Sequence, residues 1–302
     1  MLRPKIRPLL ALCALCALLI SSRAQAFTAV WMSDTQNYHD EHKPVFDGMT
    51  RWIADNRADL DIRFVFHSGD VVGRWSSDEQ WRQARDSMSA LNSASIPFLA
   101  ACGNHDIGYR MYYANFLKYF LSLRPAGLSQ EYGDTGSRYE LFSAEGRSYI
   151  FMAVAFSNRG PGEDEVNWIN GVLRQYSDRD AIIITHSYIK KSGAYTTQGK
   201  AIFERIVKPS PNVFLVLCGH CRDISERSAE LDDDGDGRPD RTVYAVLSNF
   251  QGGRSGGGGY MRIMDFRESE IYLYTYSPYY DSFEYPRGKT ETTVPLPDKT
   301  IK

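Results

Sequence analysis

Six residues able to hold a cation or move a proton follow directly on short apolar runs: Asp34, Asp70, Asn104, His105, His186 and His220. The runs open into Ser33-Asp34-Thr35-Gln36, Ser68-Gly69-Asp70, Cys102-Gly103-Asn104-His105-Asp106, His186 after Thr185, and Gly219-His220. If the runs are buried strands, these residues lie at the carboxyl ends, where α/β folds collect their ligands. Carboxylate, amide and imidazole donors mixed in this way suit a borderline transition ion such as Mn, Fe or Zn better than Ca or Mg. The glycines preceding Asp70, Asn104 and His220 let the backbone turn sharply beneath such an ion. Any one of these residues alone is ordinarily a turn or capping residue. The set carries the reading.

The elements that must position them are legible as apolar runs rich in Val, Ile, Phe and Leu: 27–32, 62–67, 96–101, 149–155, 181–185 and 213–217. Helical patterns fall between them at 44–57, 78–92, 111–121, 163–176 and 199–207. The second of these carries the spacing of a capping box, Ser76 followed by Glu79. Alternation of strand and helix predicts an α/β domain with helices packed on its sheets. The runs 243–247, 260–266 and 270–276 follow without a helix and predict an antiparallel meander. No Pro/Ser-rich linker divides the chain, so 27–302 reads as one domain, with a loosely held polar tail over 286–302.

Residues 1–26 read as a signal peptide. Arg3, Lys5 and Arg7 precede the uncharged apolar stretch Leu9 to Ile20 and the small-residue site Ala24-Gln25-Ala26. That stretch is short for a spanning helix, so a secreted or periplasmic protein without a stable membrane anchor is expected. Losing the leader removes Arg3, Lys5, Arg7 and Arg23. The remaining 31 basic residues face 37 acidic ones, a net charge near −6. This disfavours a nucleic-acid partner held by bulk charge. Three cysteines remain, Cys102, Cys218 and Cys221, too few for a disulfide scaffold.

In order, "SDTQ", "GD", "GNHD", the isolated His186 and "GH" resemble the five blocks of the calcineurin-like metallophosphoesterase superfamily. Asp34-Thr35-Gln36, "SNFQGG" and "TYSP" look like a secreted bacterial-type subgroup of it. The resemblance implies a two-sheet β-sandwich flanked by helices in four layers. It also implies two metal ions bridged by Asp70, one of them held further by Asn104, His186 and His220. The other would use Asp34 and the carbonyl oxygen of Gln36, but Gln36 and Arg222 stand where the family has histidines and an amide oxygen is a poorer donor than imidazole, so this second site is expected to be weak. Arg222 would then present a fixed cation to a phosphate, and Arg74 resembles a phosphate-contacting arginine. His105 matches the family's acid for the leaving group, and Asp106 would orient or polarise it. The implied activity is hydrolysis of a phosphate monoester or diester, in a small-molecule or macromolecular substrate, by metal-activated water. The alternatives are a degenerate member that binds a phospho-ligand or glycan, and a thiol oxidoreductase built on Cys218 and Cys221.

The C-x-x-C spacing is more economically a by-product of the metal loop, since a thioredoxin-like site needs its first cysteine at a helix N-terminus and the following residues make a poor amphipathic helix. Residues 231–240, "LDDDGDGRPD", place Asp232, Asp234, Asp236 and Asp240 as in the first part of a calcium loop, yet Val243 stands where the bidentate Glu belongs. An acidic hairpin loop competes there with a weak Ca site. The glycine-rich 249–260 lacks the Lys-Ser/Thr of a P-loop and reads as a loop near the rim. Tyr272, Tyr274 and Tyr276 alternate as on one face of a strand.

Overall fold

The computed structural model describes residues 27–109, 112–120, 130–252, 254–285 and 291–298. The expected leader, Met111 and Leu121 at the ends of one expected helix, and most of the polar tail lie outside the described residues. Two sheets are formed. The first runs β13-β12-β11-β1-β2-β3, with β1 Phe27–Met32, β2 Ile62–His67, β3 Phe98–Ala100, β11 Met261–Phe266, β12 Glu270–Tyr276 and β13 Glu291–Pro295. The second runs β4-β5-β6-β7-β8-β10-β9, with β4 Gln130–Glu131, β5 Arg138–Ala144, β6 Arg147–Val154, β7 Asp180–Thr185, β8 Val213–Cys218, β9 Asp223–Leu231 and β10 Arg241–Asn249.

Period-two alternation assembles the layers. On β1, Phe27, Ala29 and Trp31 point into the space between the sheets and meet Phe64, Phe66, Phe151, Ile182 and Leu215, while Val30 and Met32 point the other way. Val30 and Met32 pack under helices α1 Lys43–Asp55, α2 Asp78–Ser93 and α3 Ala114–Phe120. On the second sheet Ile183 and Val216 pack under α4 Glu163–Gln175 and α5 Thr197–Ile202, which continues as a π turn through Phe203–Val207. Strands buried on both faces must be apolar throughout, and this is why they read as continuous runs. Each fully buried ring or branched side chain contributes about 1.5–3 kcal/mol. Four layers result, helices outside and two sheets within, as expected.

The departures have local causes. Ser77, not Ser76, caps α2, accepting from the Gln80 N–H at 3.3 Å. Gln80 Oε1 accepts from Arg74 N instead of closing the box. Pro97 has no N–H to give, so β3 begins only at Phe98. The run at 243–247 does not join the meander: β10 pairs parallel with β8 in the second sheet, and the meander consists of β11, β12 and β13 against β1. Residues 291–295 of the expected loose tail form β13, with Val294 and Leu296 buried between the sheets. Asp223–Leu231, which carries no apolar run, is the edge strand β9 before the acidic hairpin loop; its Asp, Glu and Arg residues suit an edge that must not recruit another chain. Among the described residues no helix is long and apolar enough to cross a membrane.

Candidate metal centre

β1, β2 and β3 run parallel in one sheet, as do β7, β8 and β10 in the other. The loops leaving them are laced together: Asp34 N donates to Gly69 O at 3.0 Å, and Gly219 N to His186 O at 2.9 Å. Close approach of these loops depends on missing side chains. A Cβ on Gly103 would stand 2.2 Å from Asp70 Oδ1, and one on Gly219 would stand 2.2 Å from Asp34 Oδ2. Asp34, Asp70 and His220 themselves adopt φ of 53°, 53° and 67°. Left-handed backbone is tolerated best by Asp, Asn and His among residues with a Cβ, and it clusters where function over-determines the geometry.

The first sheet delivers Asp70 and Asn104, and the second delivers His186 and His220. His186 is fully buried and donates from Nδ1 to Ser68 O at 2.9 Å, which fixes its tautomer. Its Nε2 therefore faces Asn104 Oδ1 at 3.1 Å, Asp70 Oδ2 at 3.2 Å and His220 Nδ1 at 3.2 Å. Four lone-pair atoms converge on one point. Donors 2.0–2.2 Å from a shared first-row ion lie roughly 3.0–3.5 Å from one another, the range of the three contacts to Nε2, and the Asp70, His186 and His220 atoms all lie within 4.8 Å of one another, close enough to hold an ion between them. Without a cation a proton must bridge them. His186 is accordingly pushed up to about 9, burial opposing the charge but the Asp70 carboxylate outweighing it. His220 is pushed down to about 4 by burial and by the neighbouring His186. Asp70 lies below the ordinary carboxylate range, since His186 overcomes the effect of its burial.

The neighbouring second position is built differently. Asp34 accepts from Ser33 Oγ and, through both oxygens at 3.2 Å, from His220 N. Burial pushes it up to about 7. Gln36 turns its amide nitrogen inward, donating to Asp70 Oδ2 at 3.2 Å and to Gln251 Oε1. Its own Oε1 is buried with no hydrogen-bond partner. Arg222 is exposed, and its guanidinium packs on Gly252, where an added Cβ would stand 3.0 Å away. Asp223 pairs with Lys191 and opens β9, so it does not replace a ligand. The second position thus offers the Asp34 carboxylate and the unpartnered Gln36 Oε1, but an amide and a guanidinium in place of imidazoles, a poorer set for a transition ion.

His105 is exposed, with Nδ1 3.0 Å from Gly73 O and its backbone N–H on Asp70 Oδ1 at 2.8 Å. Asp106 does not orient it. Its carboxylate accepts from Val71 N, Val72 N and Gly103 N at 2.8–3.1 Å, clamping the Asp70 and Asn104 loops together. The expected role for Asp106 is thus corrected to a positioning one. Arg74 is exposed on the turn before α2. In the β9–β10 hairpin, carboxylate oxygens of Asp232, Asp234 and Asp240 lie within 4.8 Å of one another. They cap their own loop: Asp232 takes Gly235 N and Gly237 N, Asp240 takes Asp233 N and Asp234 N, and Asp234 and Asp236 take Asp236 N and Arg238 N. The three cysteines among the described residues, Cys102, Cys218 and Cys221, are free thiols, with Cys102 and Cys218 in the cores of opposite helix layers. Burial raises Cys218 to about 12, the reverse of a reactive thiolate.

Several supporting residues carry no recognisable spacing in the sequence. Trp31 Nε1 donates to Ser68 Oγ, which donates to Ser33 Oγ, which donates to Asp34. Buried His67 accepts Gly69 N on Nδ1 and meets Thr35 Oγ1 at 3.0 Å on Nε2. Asn249 Nδ2 donates to His220 O at 3.1 Å, and its Oδ1 receives Gln251 N. Only the "SNFQGG" stretch gave a hint of this last pair.

Layers and donors together define a sandwich with a metal site across the carboxyl ends of both sheets. The chain belongs to the calcineurin-like phosphoesterase family, a metal-dependent one, whose model matches residues 27–221. It is 41% identical over 259 residues to the uncharacterized protein YvnB of Bacillus subtilis (strain 168), a match covering 84% of this chain and 20% of that protein. The chain thus spans about a fifth of that relative's length. Among solved structures it resembles the purple acid phosphatase PPD1 from yellow lupin (Lupinus luteus) at a TM-score of 0.60, with 13% identity over 90% of this chain and 54% of that one. GAP50, the anchor in the inner membrane complex of Plasmodium, gives a TM-score of 0.59 with 12% identity over 91% and 90%. At such identities the likeness concerns the fold alone.

Proposed function

We propose that this chain hydrolyses a phosphate monoester or diester around one divalent transition ion held by Asp70, Asn104, His186 and His220. The observation that carries the reading is the convergence of three lone-pair atoms, Asp70 Oδ2, Asn104 Oδ1 and His220 Nδ1, on the Nε2 of His186, whose tautomer is fixed. A bound ion would supply hydroxide near neutral pH and neutralise charge on the phosphoryl oxygens. Ser68 O keeps the His186 lone pair aimed at that ion. Gly73 O holds Nδ1 of His105, leaving Nε2 at the exposed side to protonate the leaving oxygen. Asp106 keeps the two loops that carry Asp70 and His105 in register. Arg222, whose exposed guanidinium packs on Gly252, is the residue we assign to a phosphoryl oxygen, and Arg74 is a lesser candidate.

Metal analysis of the purified protein, combined with hydrolysis of p-nitrophenyl phosphate and bis-p-nitrophenyl phosphate, tests this. About one equivalent of Mn, Fe or Zn with chelator-sensitive turnover is expected. Protein that holds no transition metal, or turnover that survives metal removal, overturns it. A second reading, a phospho-ligand or glycan-binding member without turnover, draws support from Gln36 and Arg222 standing where the family has histidines. Metal without turnover of either ester would favour it. Export is part of the proposal, supported by the basic leader, apolar stretch and Ala-Gln-Ala site; N-terminal sequencing of protein recovered outside the cytoplasm should begin at Phe27.

A further inference from the structure

A cleft of about 490 Å3 opens beside Asn104 and is lined by Trp75, Ile107, Gly108, Tyr109, Phe156 and Asn158. It is continuous with the metal centre. Asn104 Oδ1 faces His186 Nε2, and the Phe156 ring lies 5.8 Å from the His186 ring and 6.1 Å from that of His220. Among the described residues no charged side chain lines it. The Trp75 wall is fixed rather than incidental. Its ring lies so close over Gly108 that a Cβ there would stand 2.9 Å from it, and Tyr112 meets it edge-on at 6.1 Å. Its carbonyl is clamped by Trp81 Nε1 at 2.7 Å and Asn115 Nδ2 at 2.9 Å. Tyr109, in the same lining, is 89% exposed and free to meet a bound ring.

From these walls we infer that the group esterified to the phosphate is an uncharged planar ring, seated between Trp75, Tyr109 and Phe156 while the phosphate meets the metal centre. The inference rests on the phosphoesterase reading for the phosphate but not for the ring. Rings stack offset or edge-on against such walls, and two amide side chains, Asn104 and Asn158, give the edge of a ring hydrogen-bonding partners. A cleft without a cation gives no hold to a second phosphate or an acidic peptide, and one walled by rings gains little from a short alkyl chain. Trp75 and Tyr109 are accordingly specificity determinants, distinct from the residues that hold the ion.

The test is equilibrium titration of the metal-bearing protein with benzylphosphonate and ethylphosphonate, which share the anionic head and cannot be hydrolysed. In parallel, hydrolysis of benzyl and ethyl phosphate is followed, as monoesters and as methyl diesters, because their leaving alcohols are of nearly equal acidity. Ring–ring contact and burial predict roughly tenfold tighter binding of the benzyl compound. Trp75→Ala and Tyr109→Ala should each erode that preference severalfold, Trp75→Phe should keep most of it, and ethylphosphonate affinity should not move. Tyr109→Ala guards against misfolding, since that side chain supports nothing in the core. Equal affinities in the unaltered protein, no binding of either compound, or a preference that survives both alanine variants overturns the inference. Ring preference without hydrolysis of any ester sinks the phosphoesterase reading and leaves this one standing.

Discussion

Two adjacent positions at the sheet ends share Asp70 and yet offer opposite surroundings. On one side Asp70, Asn104, His186 and His220 present lone pairs to a common point. On the other, Gln36 presents an N–H to the same Asp70 carboxylate, and Asp34 is engaged by Ser33 and His220 N. Both sides retain carboxylates at the places expected of ligands, so the carboxylates alone do not separate them. A carboxylate oxygen has two lone pairs and can hold a hydrogen bond and a cation at once, as Asp70 must, so the contrast lies in the amide N–H and guanidinium that stand at the second position in place of imidazoles.

The largest effect should come from emptying the lone-pair side. Asp70→Asn keeps the shape but removes the charge that four groups share, and should lower turnover by about a thousandfold or more with loss of bound metal by elemental analysis. Retention of both would end the comparison outright. Next, His105→Ala should cost about a hundredfold in kcat with metal content unchanged, and less for p-nitrophenyl esters than for alkyl esters, whose leaving groups need the proton more. Equal losses for both leaving groups would place His105 outside proton transfer.

Converting the second position should then sharpen the contrast. Gln36→His combined with Arg222→His replaces N–H groups with imidazole lone pairs and should raise the metal content from about one equivalent toward two; Gln36→Ala should leave it near one. A protein already holding two equivalents would show that the amide rotates to admit an ion. A smaller effect is expected from Asn249→Ala, which frees the His220 carbonyl. Roughly tenfold weaker metal retention against a chelator is the expected result, with folding intact by circular dichroism. Cys221→Ser should change turnover least, by under about twofold, because burial holds the thiols protonated and inert.

Much of this was written locally. The apolar runs that became β1, β2, β7 and β8 could be read because both faces of those strands are buried, which forces unbroken hydrophobicity. β5 and β9 escaped notice for the complementary reason: half-buried or at an edge, they carry Arg, Glu and Ser on the open face. Asp70, Asn104, His186 and His220 could be picked out because each follows a run and three follow a glycine. Asp106 was misread because its neighbour in sequence, His105, is not its partner in space; its oxygens reach back to Val71 and Val72.

The sequence by itself determined which stretches are buried and which polar residues stand at their ends, because burial imprints a periodicity that neighbouring residues share. Tertiary structure alone decided that β10 leaves the meander for the second sheet, that Asn249 and Gln251 reach His220 and Gln36, and that Trp75, Tyr109 and Phe156 wall one cleft. It also decided that the Gln36 amide turns its N–H toward Asp70. Such outcomes depend on how two sheets stack and on loops crossing between them, and distances across that seam are set by packing rather than by spacing along the chain.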